Sequence, residues 1–246
     1  MVRDRVALVT GGSRGIGRAI ADGLGERGVK LTIASREPDA AVAEMESRGL
    51  EALPLTADLG EDDPEELVER TLDRFGRLDI MVYSAGINIR SPALEMTAEE
   101  WRTVQQVNVD GAFLTARAAA RPMLEAGWGK ILFIASVTSF NGGFKMPITA
   151  YAASKSAILG LTRGLATEWA GGGIRVNALA PGFIKTEFTA PVHGNQELHE
   201  DIRERIPLGR WADPEDMAGP GVFLCSPDAD YVTGQVLVAD GGFLSY

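Results

Sequence analysis

Short apolar runs rich in β-branched residues alternate along the chain with longer segments of helical periodicity. The apolar runs predict strands at residues 6–10, 31–34, 52–56, 78–83, 131–135, 174–178 and 236–239. The periodic segments predict helices at residues 14–27, 40–48, 64–75 and 150–169. Thr97 and Glu100 form a capping box that opens a further helical region, extending to about residue 124. The strands are apolar on both faces, which is typical of a buried parallel sheet.

This alternation predicts the fold class. Strands that alternate with helices form right-handed βαβ units, and we expect an α/β protein with a doubly wound parallel sheet of the Rossmann type and helices on both faces. No linker or repeat divides the chain, so residues 1–246 are expected to form a single domain. Residues 184–213 break the alternation and are predicted to form a lid on the substrate side, because long insertions in compact domains often serve as lids.

A glycine-rich turn joins the first predicted strand to the first helix. Its sequence runs from Thr10 to Gly17, with Gly11, Gly15 and Gly17 at the positions where a phosphate would approach a bare backbone. The helix that follows offers free N–H groups and the positive end of its dipole to a pyrophosphate. In a βαβ unit this pattern predicts dinucleotide binding.

The end of the second predicted strand bears on which dinucleotide is bound. An acidic residue there would bind a ribose 2′-hydroxyl and repel a 2′-phosphate, and the sequence has Ser35 and Arg36 instead. Arg36 and Arg14 could pair with a 2′-phosphate, so NADP(H) is favoured over NAD(H). Asp58, after the third strand, is a candidate acceptor for the adenine amino group.

Composition and charge exclude several other functions. The chain carries a net charge of −10, which disfavours a nucleic-acid partner. Two histidines without metal-binding spacing indicate no metal site, and no apolar stretch is long enough to span a membrane. The single cysteine, Cys225, cannot form an internal disulfide and permits a cytoplasmic location.

Four residues are candidates for catalysis. Tyr151 and Lys155 lie four positions apart at the start of a predicted helix, hence on one face. A neighbouring ammonium group, together with the positive nicotinamide ring of an oxidised cofactor, would favour the phenolate of a general acid–base tyrosine. Ser136 follows the fifth strand and could hydrogen-bond a substrate oxygen. Asn108, in the helical region near residue 97, could hold a water that relays protons to Lys155.

Taken together, these motifs resemble the short-chain dehydrogenase/reductase family over the whole chain. The resemblance implies catalytic roles for Asn108, Ser136, Tyr151 and Lys155, and a homotetramer in which long helices pack between subunits. The motifs and the resemblance together imply a cofactor-binding set of Gly11, Ser13, Arg14, Gly15, Ile16, Gly17, Ser35, Arg36, Asp58, Leu59, Ala85, Gly86, Tyr151, Lys155, Pro181, Gly182, Ile184 and Thr186.

The sequence departs from the family pattern at two places. The family's Asn-Asn-Ala-Gly is replaced by Tyr83-Ser84-Ala85-Gly86, which alters the side-chain hydrogen bonds that brace this turn. The separation between Ser136 and Tyr151 is also longer than usual, and the extra length falls in the loop at residues 140–146.

That loop and its surroundings resemble the sugar-acid branch of the family, which includes 2-deoxy-D-gluconate 3-dehydrogenases and gluconate 5-dehydrogenases. The resemblance implies hydride transfer to or from gluconate, 2-deoxygluconate or 2-keto-3-deoxygluconate. Arg90, Asn141 and Lys145 are the candidate substrate contacts, and either basic residue could bind the carboxylate.

Two other functions remain open. A 3-ketoacyl-carrier-protein reductase would need a basic docking face for its acidic partner, which the net charge disfavours. A non-catalytic NAD(P)-sensing protein on the same fold is the second alternative, and the presence of both Tyr151 and Lys155 argues against it.

Overall fold

The computed structural model describes residues 2–245. Seven parallel strands form one sheet in the order β3-β2-β1-β4-β5-β6-β7. The strands are β1 Val6–Thr10, β2 Lys30–Ser35, β3 Ala52–Thr56, β4 Ile80–Tyr83, β5 Gly129–Ile134, β6 Ile174–Pro181 and β7 Val236–Ala239. The predicted doubly wound α/β fold is therefore confirmed.

Helices cover both faces of this sheet. They are α1 Gly15–Gly25, α2 Asp39–Ser47, α3 Pro64–Phe75, α4 Ala98–Gln105, α5 Gly111–Ala126, α6 Thr149–Trp169, α7 Ala190–His193, α8 Gln196–Glu204 and α9 Ala218–Cys225. Buried residues of α3, α5 and α6 pack on one face of the sheet, and those of α1, α2 and α9 pack on the other. Burial of both faces explains why the strands have no polar side.

Local signals account for several helix ends. Asp63 caps α3 by accepting the amide of Glu65 at 3.0 Å, with Pro64 in the first turn. The capping box at Thr97 and Glu100 starts α4 as predicted. The helical region that follows is not continuous, however, because a π turn at Gln106–Asp110 separates α4 from α5. Sequence periodicity alone does not reveal one extra residue in a turn.

The segment at residues 184–213, which we call the lid segment, contains more regular structure than its sequence indicated. It holds α7 and α8, and it has its own apolar cluster, which includes Val192, Ile202 and Trp211. His199 stacks on the Trp211 ring with 5.1 Å between centroids, and His193 meets His199 edge to face at 4.7 Å. This cluster also includes Val137 and Phe183 of the main body, so the segment packs on residues that follow β5 and β6.

None of the helices within residues 2–245 combines the length and apolar character needed to cross a membrane.

Candidate active site

The glycine turn between β1 and α1 is shaped to admit a phosphate. Gly11 and Gly15 have φ angles of +63° and +56°, which favour glycine. A Cβ at Gly17 would lie 2.4 Å from the carbonyl oxygen of Gly11, so a side chain there would break the turn. The amides at the start of α1 are flanked by no carboxylate in the first turn, which suits a bound anion. This backbone therefore fits the pyrophosphate of a dinucleotide, with Ser13 and Ile16 completing the turn.

The end of β2 offers a second feature that fits a nucleotide. The Ser35 hydroxyl is buried without a hydrogen-bond partner among the described residues, and Arg36 beside it is exposed. An orphaned hydroxyl next to an arginine suits a ribose phosphate. Asp58, by contrast, already accepts the amide of Gly60 at 3.0 Å through one carboxylate oxygen, which leaves its second oxygen for adenine. Leu59 is buried beside it.

Arg14 contacts a residue outside the turn. Its guanidinium forms an ion pair with Glu187, which follows Thr186 in the lid segment. A Cβ at Gly15 would lie 3.3 Å from Cγ2 of Thr186, so the lid segment reaches the glycine turn. The predicted 2′-phosphate ligand Arg14 therefore has a competing carboxylate, a contact between residues 173 positions apart that no local sequence pattern signals.

The segment after β6 is anchored by the neighbouring strand. The amide of Gly182 donates to the carbonyl of Ala239 at 3.0 Å, and a Cβ at Gly182 would lie 2.7 Å from Cα of Asp240. Pro181 and Ile184 are buried. Of the four predicted cofactor residues in this segment, Pro181, Gly182, Ile184 and Thr186, the structure places Thr186 against the glycine turn, and Gly182 is held by the end of β7.

Lys155 lies buried at the start of α6. Its Nζ donates to the carbonyl oxygen of Ile134 at 2.6 Å and lies 5.7 Å from the centroid of the Tyr151 ring. Burial lowers the pKa of Lys155 to about 8, because a desolvated ammonium group is disfavoured. A Cβ at Gly86 would lie 3.6 Å from Nζ, so a large side chain in the turn after β4 would fill the space beside the ammonium group of Lys155. Ala85, in the same turn, packs behind Gly11.

Tyr151 is one turn earlier on the same helix. Burial raises the pKa of Tyr151 to about 12, while interaction with the Ser136 side chain and the charge of Arg90 act in the opposite direction. The protein by itself therefore keeps the phenol protonated. The expected shift towards the phenolate, which includes the positive nicotinamide ring of the oxidised cofactor, stays a prediction. The Ser136 hydroxyl also accepts the amide of Thr138 at 3.1 Å, which fixes it just beyond the end of β5.

Asn108 lies in the π turn, and its side chain makes three hydrogen bonds to protein groups. Its Oδ1 accepts the amide of Ile87 at 2.8 Å, while Nδ2 donates to the carbonyl of Ile87 and to the Ser154 hydroxyl, both at 2.9 Å. Asn108 thus joins the turn after β4 to the catalytic helix α6. The expected water-holding role therefore has to fall on its backbone carbonyl or on a remaining lone pair, because both amide hydrogens already have acceptors.

The three candidate substrate residues differ in what they contact. The Arg90 guanidinium makes only a long hydrogen bond, 3.4 Å, to the carbonyl of Phe188, and it forms no ion pair within the described residues. Lys145, with a φ of +50°, pairs with Asp201 of α8, which compensates its charge. Asn141 uses its side-chain oxygen to accept the amide of Gly143 at 3.0 Å. Arg90 therefore remains the basic group with free charge beside Tyr151.

One contact of Tyr151 could not be predicted from the sequence. The ring of Phe188 lies 5.5 Å from the Tyr151 ring, and Phe188 is partly exposed in the lid segment. Its aromatic character and its place in a predicted lid were visible in the sequence, but not its contact. No group of three metal-ligating side chains occurs in the described range.

Known proteins resemble this chain over almost its whole length. A family model described as enoyl-(acyl carrier protein) reductase matches residues 11–244. The 2-dehydro-3-deoxy-D-gluconate 5-dehydrogenase of Dickeya dadantii is 40% identical over 247 residues, covering 99% of this chain and 97% of the relative.

Two solved structures resemble the whole chain. TT0495 protein of Thermus thermophilus is 54% identical with a TM-score of 0.94, and the match covers 100% of both chains. A candidate NAD(P)-dependent gluconate 5-dehydrogenase of Beutenbergia cavernae, with bound NADP at low occupancy, is 45% identical with a TM-score of 0.95, covering 100% of this chain and 98% of the other.

The chain thus belongs to the short-chain dehydrogenase/reductase family, and it is an NAD(P)-dependent oxidoreductase that acts on CH–OH groups.

Proposed function

We propose that this enzyme interconverts a secondary alcohol and a ketone on a sugar acid such as gluconate, 2-deoxygluconate or 2-keto-3-deoxygluconate. The observation that carries the proposal is the grouping of Tyr151, Ser136 and the Arg90 guanidinium. Arg90 donates to the carbonyl of Phe188, whose ring lies 5.5 Å from the Tyr151 ring, and the Ser136 side chain and the Arg90 charge both act on the Tyr151 phenol. A proton donor, a hydroxyl for the reacting oxygen and an unpaired cation are what a keto or hydroxy acid requires.

Tyr151 moves the proton in this proposal. In reduction the phenol donates its proton to the carbonyl oxygen, and in oxidation the phenolate accepts the proton of the hydroxyl group. The nicotinamide supplies or accepts the hydride when it is bound. Ser136 hydrogen-bonds the same substrate oxygen and stabilises charge that develops on it. Lys155, charged below a pH of about 8, favours the phenolate and holds the nicotinamide ribose.

Arg90 supplies substrate specificity in this proposal. A protein with a net charge of −10 gives a sugar-acid carboxylate no long-range attraction, so a local cation is needed. Arg90 is suited for two reasons. Its positive charge acts to lower the pKa of Tyr151, and it has no carboxylate partner within the described residues, whereas Lys145 pairs with Asp201. The relative named for 2-dehydro-3-deoxy-D-gluconate supports the same substrate class.

The cofactor is proposed to be NADP(H) in preference to NAD(H). Arg36 and the unpartnered hydroxyl of Ser35 would hold the 2′-phosphate. The Beutenbergia cavernae structure with bound NADP supports this preference.

We further propose that the lid segment closes over the substrate and that the enzyme is a homotetramer. We also propose that it acts in the cytoplasm, where its one thiol, the buried Cys225, stays reduced.

One experiment tests the catalytic and substrate assignments together. Wild type, Tyr151→Phe, Arg90→Gln and the control Lys145→Gln are assayed with NADP(H) and NAD(H) on sugar acids, the matching neutral sugars and β-ketoacyl thioesters. We expect Tyr151→Phe to keep cofactor affinity and to lose about 100-fold or more in kcat. Arg90→Gln should raise KM for sugar acids about tenfold, the value of one charged hydrogen bond, and leave neutral sugars unaffected.

Other outcomes identify the alternatives. Near-normal turnover by Tyr151→Phe would contradict the catalytic assignment. Turnover of β-ketoacyl thioesters alone would indicate a carrier-protein reductase, the class to which the family description points. Cofactor binding without turnover of any carbonyl compound would indicate an NAD(P)-sensing protein.

A further inference from the structure

Tyr83 stands where the family pattern has asparagine, and the function proposed above gives it no role. It is the last residue of β4, and its side chain is 2% exposed. Its hydroxyl donates to the carbonyl oxygen of Val107 at 2.6 Å. Burial, aided by the negative charge of Asp58, raises the pKa of Tyr83 well above its usual value. The phenol therefore stays a hydrogen-bond donor at every working pH.

Val107 belongs to the π turn at Gln106–Asp110. In this turn the amide of Gly111 donates to the carbonyl of Gln106, five residues back. Such turns are rare, and they occur mostly as single insertions at functional sites. Val107 directly precedes Asn108, so a hydrogen bond on its carbonyl acts one peptide away from the proposed catalytic residue.

Tyr83 and Gly111 are sterically matched. A Cβ at Gly111 would lie 2.4 Å from the Tyr83 hydroxyl oxygen and 2.7 Å from the carbonyl oxygen of Leu59. The phenol therefore occupies space that only glycine leaves open at the junction of the π turn and α5. Because the interior is densely packed, the hydroxyl has no room to change partner without moving this junction.

Asn108 itself has little freedom once the turn is set. Its side chain binds both polar groups of the Ile87 backbone and the Ser154 hydroxyl. A Cβ at Gly86 would meet Asn108 Oδ1 at 3.4 Å and Lys155 Nζ at 3.6 Å, which places both groups against the same face of that glycine. A shift of the π turn would thus move Asn108 relative to Lys155.

We propose that Tyr83 is a positioning residue for Asn108. Its hydroxyl holds the π turn through the Val107 carbonyl and so fixes the backbone and side chain of Asn108 beside Lys155. The inference rests on the proposed role of Asn108 in proton transfer. It assigns a function to the departure from the family's Asn-Asn-Ala-Gly pattern.

The test is Tyr83→Phe, which removes one oxygen atom and keeps the ring. The control is Thr71→Val, because the Thr71 hydroxyl is equally buried. It donates to the Leu67 carbonyl at 2.7 Å within α3 and lies 3.1 Å from the Thr32 hydroxyl of β2. We expect Tyr83→Phe to lower kcat by roughly three- to tenfold, the loss that one buried hydrogen bond supports, with KM for the cofactor unchanged. Thr71→Val should lower Tm to a similar degree and leave kcat unchanged.

The variants Asn108→Ala and Tyr83→Phe/Asn108→Ala complete a double-mutant cycle, which measures the coupling between the two residues. If Tyr83 acts through Asn108, Tyr83→Phe should cause no further loss of kcat in the Asn108→Ala background. Additive losses, or an unchanged kcat with a lower Tm in Tyr83→Phe, would overturn the positioning role. A normal kcat in Asn108→Ala would instead show that the catalytic role of Asn108 fails, and the role of Tyr83 with it.

Discussion

Burial shifts the pKa values of Tyr151 and Lys155 in opposite directions, and both shifts favour the neutral form. The pKa of Tyr151 is raised to about 12, and that of Lys155 is lowered to about 8. At neutral pH the enzyme therefore holds a protonated phenol, which is ready to act as a general acid. The ammonium of Lys155 is maintained there at a cost in folding free energy, because it is desolvated.

That cost makes Lys155→Met a test with two readouts. Methionine keeps the length of the side chain and removes the charge, so we expect the free energy of unfolding at pH 7 to rise by about 1–2 kcal/mol. This figure is the relief of desolvation less the lost hydrogen bond to the Ile134 carbonyl. Turnover should fall by about 100-fold or more, because the phenolate loses its cation. Thermal unfolding and kcat measure the two effects.

The difference in free energy of unfolding between Lys155→Met and wild type, which we call the stability gap, should depend on pH in a defined direction. The pKa of Lys155 is about 8 in the folded protein, below its ordinary value of 10.5. Between these values the unfolded chain binds the proton that the folded protein has released, so wild type gains stability relative to Lys155→Met as the pH rises. The fall of the Lys155 pKa from 10.5 to about 8 corresponds to about 3 kcal/mol, which is more than the gap of about 1–2 kcal/mol. The gap should therefore be full below pH 8, close at about pH 9 and have the opposite sign by pH 10.5. A constant gap between pH 7 and 10 would rule out the lysine charge as its source.

At the scale of structural elements, the turn between β1 and α1 has no room for a side chain at Gly17. A Cβ at Gly17 would meet the Gly11 carbonyl oxygen at 2.4 Å, so Gly17→Ala must displace the backbone that faces the pyrophosphate. We expect Gly17→Ala to weaken NADP(H) binding by about tenfold or more, as overpacking by one methyl group implies.

The control is Gly219→Ala in α9, where no described atom lies within 4 Å of an added Cβ. Titration of each variant with NADPH, followed by fluorescence, gives the comparison. Equal weakening in both variants would mean that the loss is a general effect of alanine and not of the turn.

The order of strands and helices could be predicted from the sequence because each element carries its own pattern. All seven strands were expected, and β1, β3 and β7 have the predicted bounds. The π turn could not be predicted, since one additional residue in a helical turn leaves the apolar periodicity almost unchanged. The helices α7 and α8 were also missed, because their apolar residues pack on a separate local cluster and each helix is short.

The candidate site was predictable where a motif fixes a backbone or a helix face, as at Gly17 and at Tyr151 with Lys155. It was not predictable where the partners come from distant parts of the chain. Arg14 with Glu187 and Lys145 with Asp201 are ion pairs that only the tertiary structure brings together. Both pairs change which basic residues are free for ligands.

At the scale of the whole molecule, the exposed face of α6 bears on the proposed homotetramer. Gly160 and Gly164 lie four positions apart on this helix, and no described atom is within 4 Å of a Cβ built at either. Tryptophan at position 164 is therefore accommodated in a single chain, whereas a helix from another subunit packed against this face would clash with it.

We expect wild type to have a native mass four times that of the 26.2 kDa chain, and Gly164→Trp to have a lower one with an unchanged circular dichroism spectrum. Native mass spectrometry measures both masses. A Gly164→Trp protein with the wild-type mass would show that α6 lies outside the subunit interface.

The two histidines of the chain, His193 and His199, both lie in the lid segment and pack against each other and Trp211. Imidazole ring protons resonate apart from most other signals in a proton spectrum. Every such signal of this enzyme therefore comes from the lid segment, and the neighbouring indole makes its chemical shift sensitive to small rotations. The unlabelled, unmodified protein thus carries its own spectroscopic reporter of any rearrangement of this segment during a titration with cofactor or substrate.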